Sequence, residues 1–190
     1  MVSYIHMKSF AQRTHEEMKD VLMDKEAVGP EVHYYMIRGG TPKTNITVWE
    51  SGTIGSEYIK TYGHYHVGNL EEVYTVLQGE GIIILQEKII NDSIENFKAI
   101  KVRVGDRVHI PKETGHLAIN IGKTWFVTSD DSPVDFSEKD PISLPGHADY
   151  GAFKKYRGAG YYVIEKNGKP ELIKNPNYKS VSEAKIEECK

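Results

Sequence analysis

From Tyr58 to Ser129 the chain is an almost continuous succession of short β-type runs, and this restricts its fold more than any other feature. The pattern predicts strands over 58–65, 72–78, 81–86, 98–104, 107–110, 115–120 and 124–129. Glycines, Pro111 and polar pairs separate them at short intervals. Many short strands with regular turn signals require a β-sandwich or a closed barrel, because no single sheet of that kind can bury its apolar face alone. Upstream, Met18, Val21, Leu22 and Met23 form a partial helical stripe within 14–27, and Thr14 with Glu17 reads as a capping box. Gly29-Pro30 ends it. Runs at 32–37 and 46–49 add two strands, joined across the turn Gly39-Gly40-Thr41-Pro42. After residue 129 comes an irregular stretch to Pro145. A hairpin then follows, 161–166 against 171–173 across Asn167-Gly168, and the tail 181–188 reads as a short helix or as unstructured chain.

At 190 residues this is one domain with a sizeable core. We expect a barrel core over about 30–135 and an extension over 136–190 packed on it. The net charge of −3 and the pI near 6.2 offer no general nucleic-acid surface. One cysteine, Cys189, rules out a disulfide within the chain and favours a reducing compartment. No apolar run of membrane-spanning length is present, and Met1–Phe10 lacks the apolar core of a signal peptide. A cytoplasmic protein is expected, with neither a nucleic-acid nor a membrane partner.

Chemistry concentrates in Thr61–Gly79, T-Y-G-H-Y-H-V-G-N-L-E-E-V-Y-T-V-L-Q-G. His64 and His66 are two apart, so on a strand both imidazoles leave the same face. Glu72 opens a β run in which Glu72, Tyr74 and Val76 share a face. His116 lies in a second ordered stretch, Gly105-x5-Pro111-x4-His116-x3-Asn120. Three imidazoles and a carboxylate suit one divalent first-row ion with positions left open for a ligand. The donor set does not select among iron, manganese, nickel and zinc, and Fe2+ is the first expectation. H-x-H by itself is a weak signal. Its weight here comes from the two ordered stretches occurring together.

These two stretches, H-x-H with E-x6-G and then G-x5-P…H-x3-N, resemble the motifs of the cupin superfamily. The resemblance implies an all-β jelly-roll barrel, here with short N- and C-terminal helical additions. Glu71 fits the usual histidine-to-glutamate gap, but the E-x-Y and E-x6-G frames select Glu72 and leave Glu71 in the turn. The flanks Thr61-x-Gly63-His64-x-His66 and Glu72-x-Tyr74, with Gly146-His147-Ala148-Asp149-Tyr150-Gly151, resemble the cupin-type glucose-6-phosphate isomerases of archaea and some bacteria. Departures are Tyr62 in place of a lysine, Lys112 in place of a second proline, and the extra Ala148.

That resemblance implies a homodimer acting on a sugar phosphate, glucose 6-phosphate or fructose 6-phosphate. Mannose 6-phosphate is not excluded. Tyr34 or Tyr35, with Thr47, Thr61, Gly63 and Tyr150, would hold the substrate and its phosphate. Glu72 is the leading base for an enediol route, with Tyr74 beside it. A hydride shift between C1 and C2 would need no base. His147 would assist ring opening, since its reference pKa lies near neutrality. Two other readings share the same four ligands: a metal-dependent cupin dioxygenase and a non-enzymatic sugar-binding cupin. Thr61-x-Gly63, Tyr74 and the segment from His147 to Tyr150 disfavour both.

Overall fold

The computed structural model describes residues 10–38, 45–132 and 148–190. The Gly39–Pro42 turn, most of the irregular stretch before Pro145, and His147 lie outside these residues. The chain opens with β1 (Phe10–Thr14), a strand with no clear sequence signal, then α1 (His15–Met18), β2 (Val32–Ile37) and β3 (Asn45–Trp49). Two short pieces, β4 (Thr53–Ile54) and β5 (Glu57–Tyr58), lead to β6 (Tyr65–His66), β7 (Glu72–Gln78) and β8 (Glu80–Gln86). Next come β9 (Ser93–Ile94), β10 (Phe97–Arg103), β11 (Arg107–Ile110), β12 (Gly115–Asn120) and β13 (Phe126–Asp130). The C-terminal part carries β14 (Ala148–Asp149), α2 (Gly151–Lys155), β15 (Tyr161–Lys166), β16 (Lys169–Lys174), β17 (Ser180–Val181) and β18 (Ile186–Glu188).

Two sheets carry the barrel. One has the order β1-β2-β3-β13-β7-β11, the other β12-β8-β10-β18. Their consecutive strands cross between sheets, as in a jelly roll. The core lies between them, with Trp49 and Phe126 meeting edge to face at 4.7 Å. Gly81 faces this core: a Cβ there would lie 2.4 Å from the Phe126 ring. The next face of β8 is buried too, because the C-terminal segment covers it. Gln86 donates to the Tyr178 hydroxyl at 3.5 Å and accepts the Gly160 N–H at 2.9 Å. Burial on both faces explains why β8 reads as an unbroken apolar run rather than an alternating one.

Three elements depart from expectation, each because tertiary partners displaced a local preference. The N-terminal helix is one turn plus a 3-10 turn, Lys19–Val21, although Thr14 and Glu17 do form the reciprocal capping box. The buried Lys60 ammonium binds the Val21 carbonyl at 2.7 Å, and Glu57 accepts the Met23 N–H at 2.8 Å. These side chains take the backbone groups that a longer helix would have used.

The strand expected over 58–65 is likewise broken. Gly63 sits at φ +84°, and only isolated bridges at Lys60 and His64 join the segment to β12. At Thr61 the side chain replaces a ladder partner: Ala118 donates its N–H to Thr61 Oγ1 at 3.0 Å. The tail is no helix. β17 pairs parallel with β9, and β18 with β10. The unpaired backbone at the sheet edge offers the tail more hydrogen bonds than a short isolated helix would form.

Candidate metal centre

His64, His66, Glu72 and His116 converge inside the barrel, one donor atom from each lying within 4.8 Å of all the others. Each arrives from a different local device. His64 is clamped to β12 by reciprocal backbone bonds with His116, at 3.1 and 3.0 Å. His66 sits in β6, and Glu72 is the first residue of β7. The carboxylate Oε1 lies 2.8 Å from His116 Nε2 and 3.3 Å from His66 Nε2. Glu71, one residue away, is exposed and meets His109 Nε2 at 3.1 Å on the surface.

The imidazoles are oriented from behind. His66 Nδ1 faces the Leu70 carbonyl at 3.2 Å, and His116 Nδ1 faces the Thr114 carbonyl at 3.4 Å. A carbonyl can only accept, so each Nδ1 carries the proton and each Nε2 presents its lone pair to the centre. The cluster therefore presents one carboxylate and lone-pair nitrogens with their tautomers set. Ligands bound at about 2.1 Å from one ion can be at most about 4.2 Å apart, so the cluster fits a single first-row ion after a small contraction.

Aromatic groups surround the centre. Tyr74 meets the His116 ring edge-on at 5.6 Å, and Tyr150 lies 5.5 Å from the His64 ring. Burial, with Glu72 and Asp130 nearby, pushes the Tyr74 phenol far up, so it remains a proton donor throughout the physiological range. Tyr150 caps α2, directly after β14, whose Ala148 pairs with His66. Of the two candidate tyrosines on β2, Tyr34 is buried and accepts from the Tyr62 N–H at 3.4 Å. Tyr35 points outward against Trp125. Burial pushes the Tyr34 phenol up to about 12. Thr47 is buried on the inner register of β3 between Met36 and Thr128. Gly63 packs against Phe153, whose ring would sit 2.4 Å from an added Cβ.

Two residues of this neighbourhood escaped the sequence reading. Arg13, on β1, places its guanidinium 5.3 Å from the Tyr150 ring and 5.9 Å from that of Tyr62. Tyr62, noted only as a departure from a lysine, stacks edge-on with Tyr150 at 5.4 Å. Neither belongs to a spaced motif, so no sequence signal marked them. β1 in particular has little alternation to betray it.

A jelly-roll barrel whose two inner histidines, first strand-start glutamate and later histidine share one centre is a cupin. Residues 33–180 match the family model Glucose-6-phosphate isomerase (GPI), and the chain belongs to that family. The Glucose-6-phosphate isomerase of Thermococcus onnurineus is 30% identical over 135 residues, covering 70% of this chain and 63% of that protein. The one from Thermococcus gammatolerans is 30% identical over 168 residues, 86% of this chain and 79% of that protein. The chain thus spans just under two thirds of the first of these relatives. Among solved structures, the Drosophila melanogaster CENP-C cupin domain overlays with a TM-score of 0.39 and 13% identity, over 58% of this chain and 79% of that one. Among the described residues, no helix is long and apolar enough to cross a membrane.

Proposed function

We propose that this chain is a metal-dependent isomerase that interconverts glucose 6-phosphate and fructose 6-phosphate. The observation that carries the proposal is the buried cluster of His64, His66, Glu72 and His116, set beneath tyrosines inside a chain of the isomerase family. A divalent ion held there, with Fe2+ ahead of Mn2+, Ni2+ and Zn2+, would supply Lewis-acid polarisation of the sugar's C1 and C2 oxygens.

The protein's own groups divide the remaining work. Thr47, Thr61, Gly63 and Tyr34 offer hydroxyl and backbone donors to the phosphate. Because Thr61 Oγ1 already accepts the Ala118 N–H, its own proton points away and serves as a donor. Tyr74 stays protonated and donates to a sugar oxygen; it does not act as the base. Held as a ligand of the ion, Glu72 would be a weakened base. A route in which hydrogen moves directly between C1 and C2 is therefore favoured over an enediol. Tyr150 positions the open chain, and His147 is assigned to ring opening from its place in the sequence. We further propose a cytoplasmic homodimer, and one domain with its barrel over about 30–135.

A coupled assay from fructose 6-phosphate, before and after chelation and metal add-back, tests the function. Turnover lost on chelation and regained with Fe2+ supports it. Turnover indifferent to stringent chelation, or none with any first-row ion, removes it. Substrate labelled with deuterium at C2 then separates the routes: label retained in product favours the direct shift, and label washed out restores Glu72 as base.

A further inference from the structure

Of the three tyrosines near the centre, Tyr150 has the shortest backbone support. Tyr34 and Tyr74 stand on strands of six and seven residues. Tyr150 follows β14, whose two residues pair with His66 and Tyr65, and precedes the five-residue α2. A helix that short is not stable by itself in water. Side-chain contacts must therefore fix where the Tyr150 ring lies. One of them anchors α2: Phe153 is fully buried, tilted against the Tyr65 ring at 5.7 Å and packed against Gly63. That anchor acts three residues past Tyr150 and leaves the orientation of its ring open.

The contact at the ring itself comes from Tyr62. The two rings meet edge to face, 5.4 Å apart and at 86°, and Tyr150 reaches the His64 ring at 5.5 Å on another side. Tyr150 thus rests against two residues of one stretch, one of which is a candidate metal ligand. Tyr62 is 7% exposed, so its ring is a fixed surface. Distances decide which part of Tyr62 does the holding. Its hydroxyl lies 3.4 Å from Asp20 Oδ2, longer than an O–H···O bond normally is. The same oxygen takes the Lys154 ammonium at 2.8 Å and ties the 3-10 turn to α2. Both of those side chains are exposed, and an exposed ion pair contributes little. The ring contact, buried and close to the preferred edge-to-face geometry, outweighs both.

We infer that Tyr62 is a positioning residue, whose ring holds the Tyr150 ring beside His64 in the one orientation that receives the sugar phosphate. The inference rests on the isomerase reading above, in which Tyr150 positions the open chain. It adds to that reading a residue that acts on the substrate only through Tyr150. The ring of Tyr62 carries the role and its hydroxyl does not.

The test uses the full-length, metal-loaded protein with Tyr62→Phe, which keeps the ring, and Tyr62→Leu, which removes it. If Tyr62→Leu melts too low to assay, Tyr62→Met, with its more adaptable side chain, takes its place. Metal content and thermal midpoint are measured first, then kcat and KM for fructose 6-phosphate. Tyr62→Leu should keep its metal and lower kcat/KM by about threefold to tenfold, the range an edge-to-face pair supports, while Tyr62→Phe stays within about twofold of wild type. In a Tyr150→Ala background Tyr62→Leu should cost nothing further, because the ring it positions is gone. A general structural role would add its full loss there. A second arm needs no turnover. With 3-fluorotyrosine incorporated, the Tyr150 fluorine resonance, identified by its absence from Tyr150→Phe, should move in Tyr62→Leu and stay in place in Tyr62→Phe. If the wild type turns over no sugar phosphate, the isomerase reading fails and this arm alone decides the positioning. A Tyr150 resonance unmoved in Tyr62→Leu overturns the inference. So does an equal loss of kcat/KM in both backgrounds, or a Tyr62→Phe as impaired as Tyr62→Leu.

Discussion

Gly63 stands where the candidate metal cluster, the proposed phosphate donors and the C-terminal extension meet, and its replacement by alanine puts a number on that junction. Two independent costs apply. The residue is held at φ +84°, in the left-handed region, where an L side chain costs about 1–2 kcal/mol. The new Cβ also lands 2.4 Å from Phe153 Cε1, and Phe153 is fully buried, so its ring has little room to withdraw. Forcing such overpacking costs about 1–3 kcal/mol more, for a total of about 2–5 kcal/mol. At this chain length each kcal/mol moves the thermal midpoint by about 2–4 °C, so Gly63→Ala should melt about 4–20 °C lower. Because His64 follows directly, metal retention should also fall.

A double-mutant cycle with Phe153→Leu separates the two costs. The shorter side chain relieves the clash and leaves the backbone strain. The double variant should be more stable than the sum of the singles by about 1 kcal/mol or more. Gly63→Ala within about 1 kcal/mol of wild type, or a strictly additive cycle, would refute the reasoning.

Three further outcomes are expected. Glu57→Gln removes the carboxylate bonded to the buried Lys60 ammonium and leaves that charge stranded, which should cost about 3–5 kcal/mol in urea unfolding. His33 is fully buried, and desolvation, with His15 and Lys60 nearby, brings its pKa down to about 4. The unfolded chain thus binds the proton more readily. The associated stability is present above about pH 6.5 and is lost as pH falls towards 4, by about 2 kcal/mol between pH 7 and 5. Thermal melts of His33→Gln across that range should be correspondingly flatter than wild type. Chelation should lower the thermal midpoint and saturating metal should restore it, since an ion at a hundred times its Kd adds about 2.7 kcal/mol to the folded state. A midpoint indifferent to metal would argue against a single tight site.

The legible part of the molecule was the part encoded by spacing. β7, β11 and β12 lie where alternation and turn residues put them, and β11 and β12 pair along their full lengths in regular ladders. The hairpin of β15 and β16 follows from Asn167-Gly168, whose positive φ values the turn requires. The illegible parts are those where a distant group supplied the hydrogen bonds. The helix after Thr14 is cut short by Lys60 and Glu57, 34 or more residues on, and the tail becomes a strand because a sheet edge was available to it. Arg13 belongs with these. A single basic residue in F-A-Q-R-T carries no period and no motif, and only its register opposite the buried Tyr34 on β2 sets which side it faces.

The sequence alone therefore determined the fold class and the four donor residue types, since periodicity and donor chemistry are local properties of the chain. It also narrowed the glutamate to Glu72 through the frames around it. Only the tertiary structure decided which tyrosine of β2 is buried, which tautomer His66 and His116 present, and that a cation from the first strand stands beside Tyr150. Those outcomes depend on contacts between residues far apart in the chain. Their free energies exist only once the barrel has closed and water has been excluded from its interior.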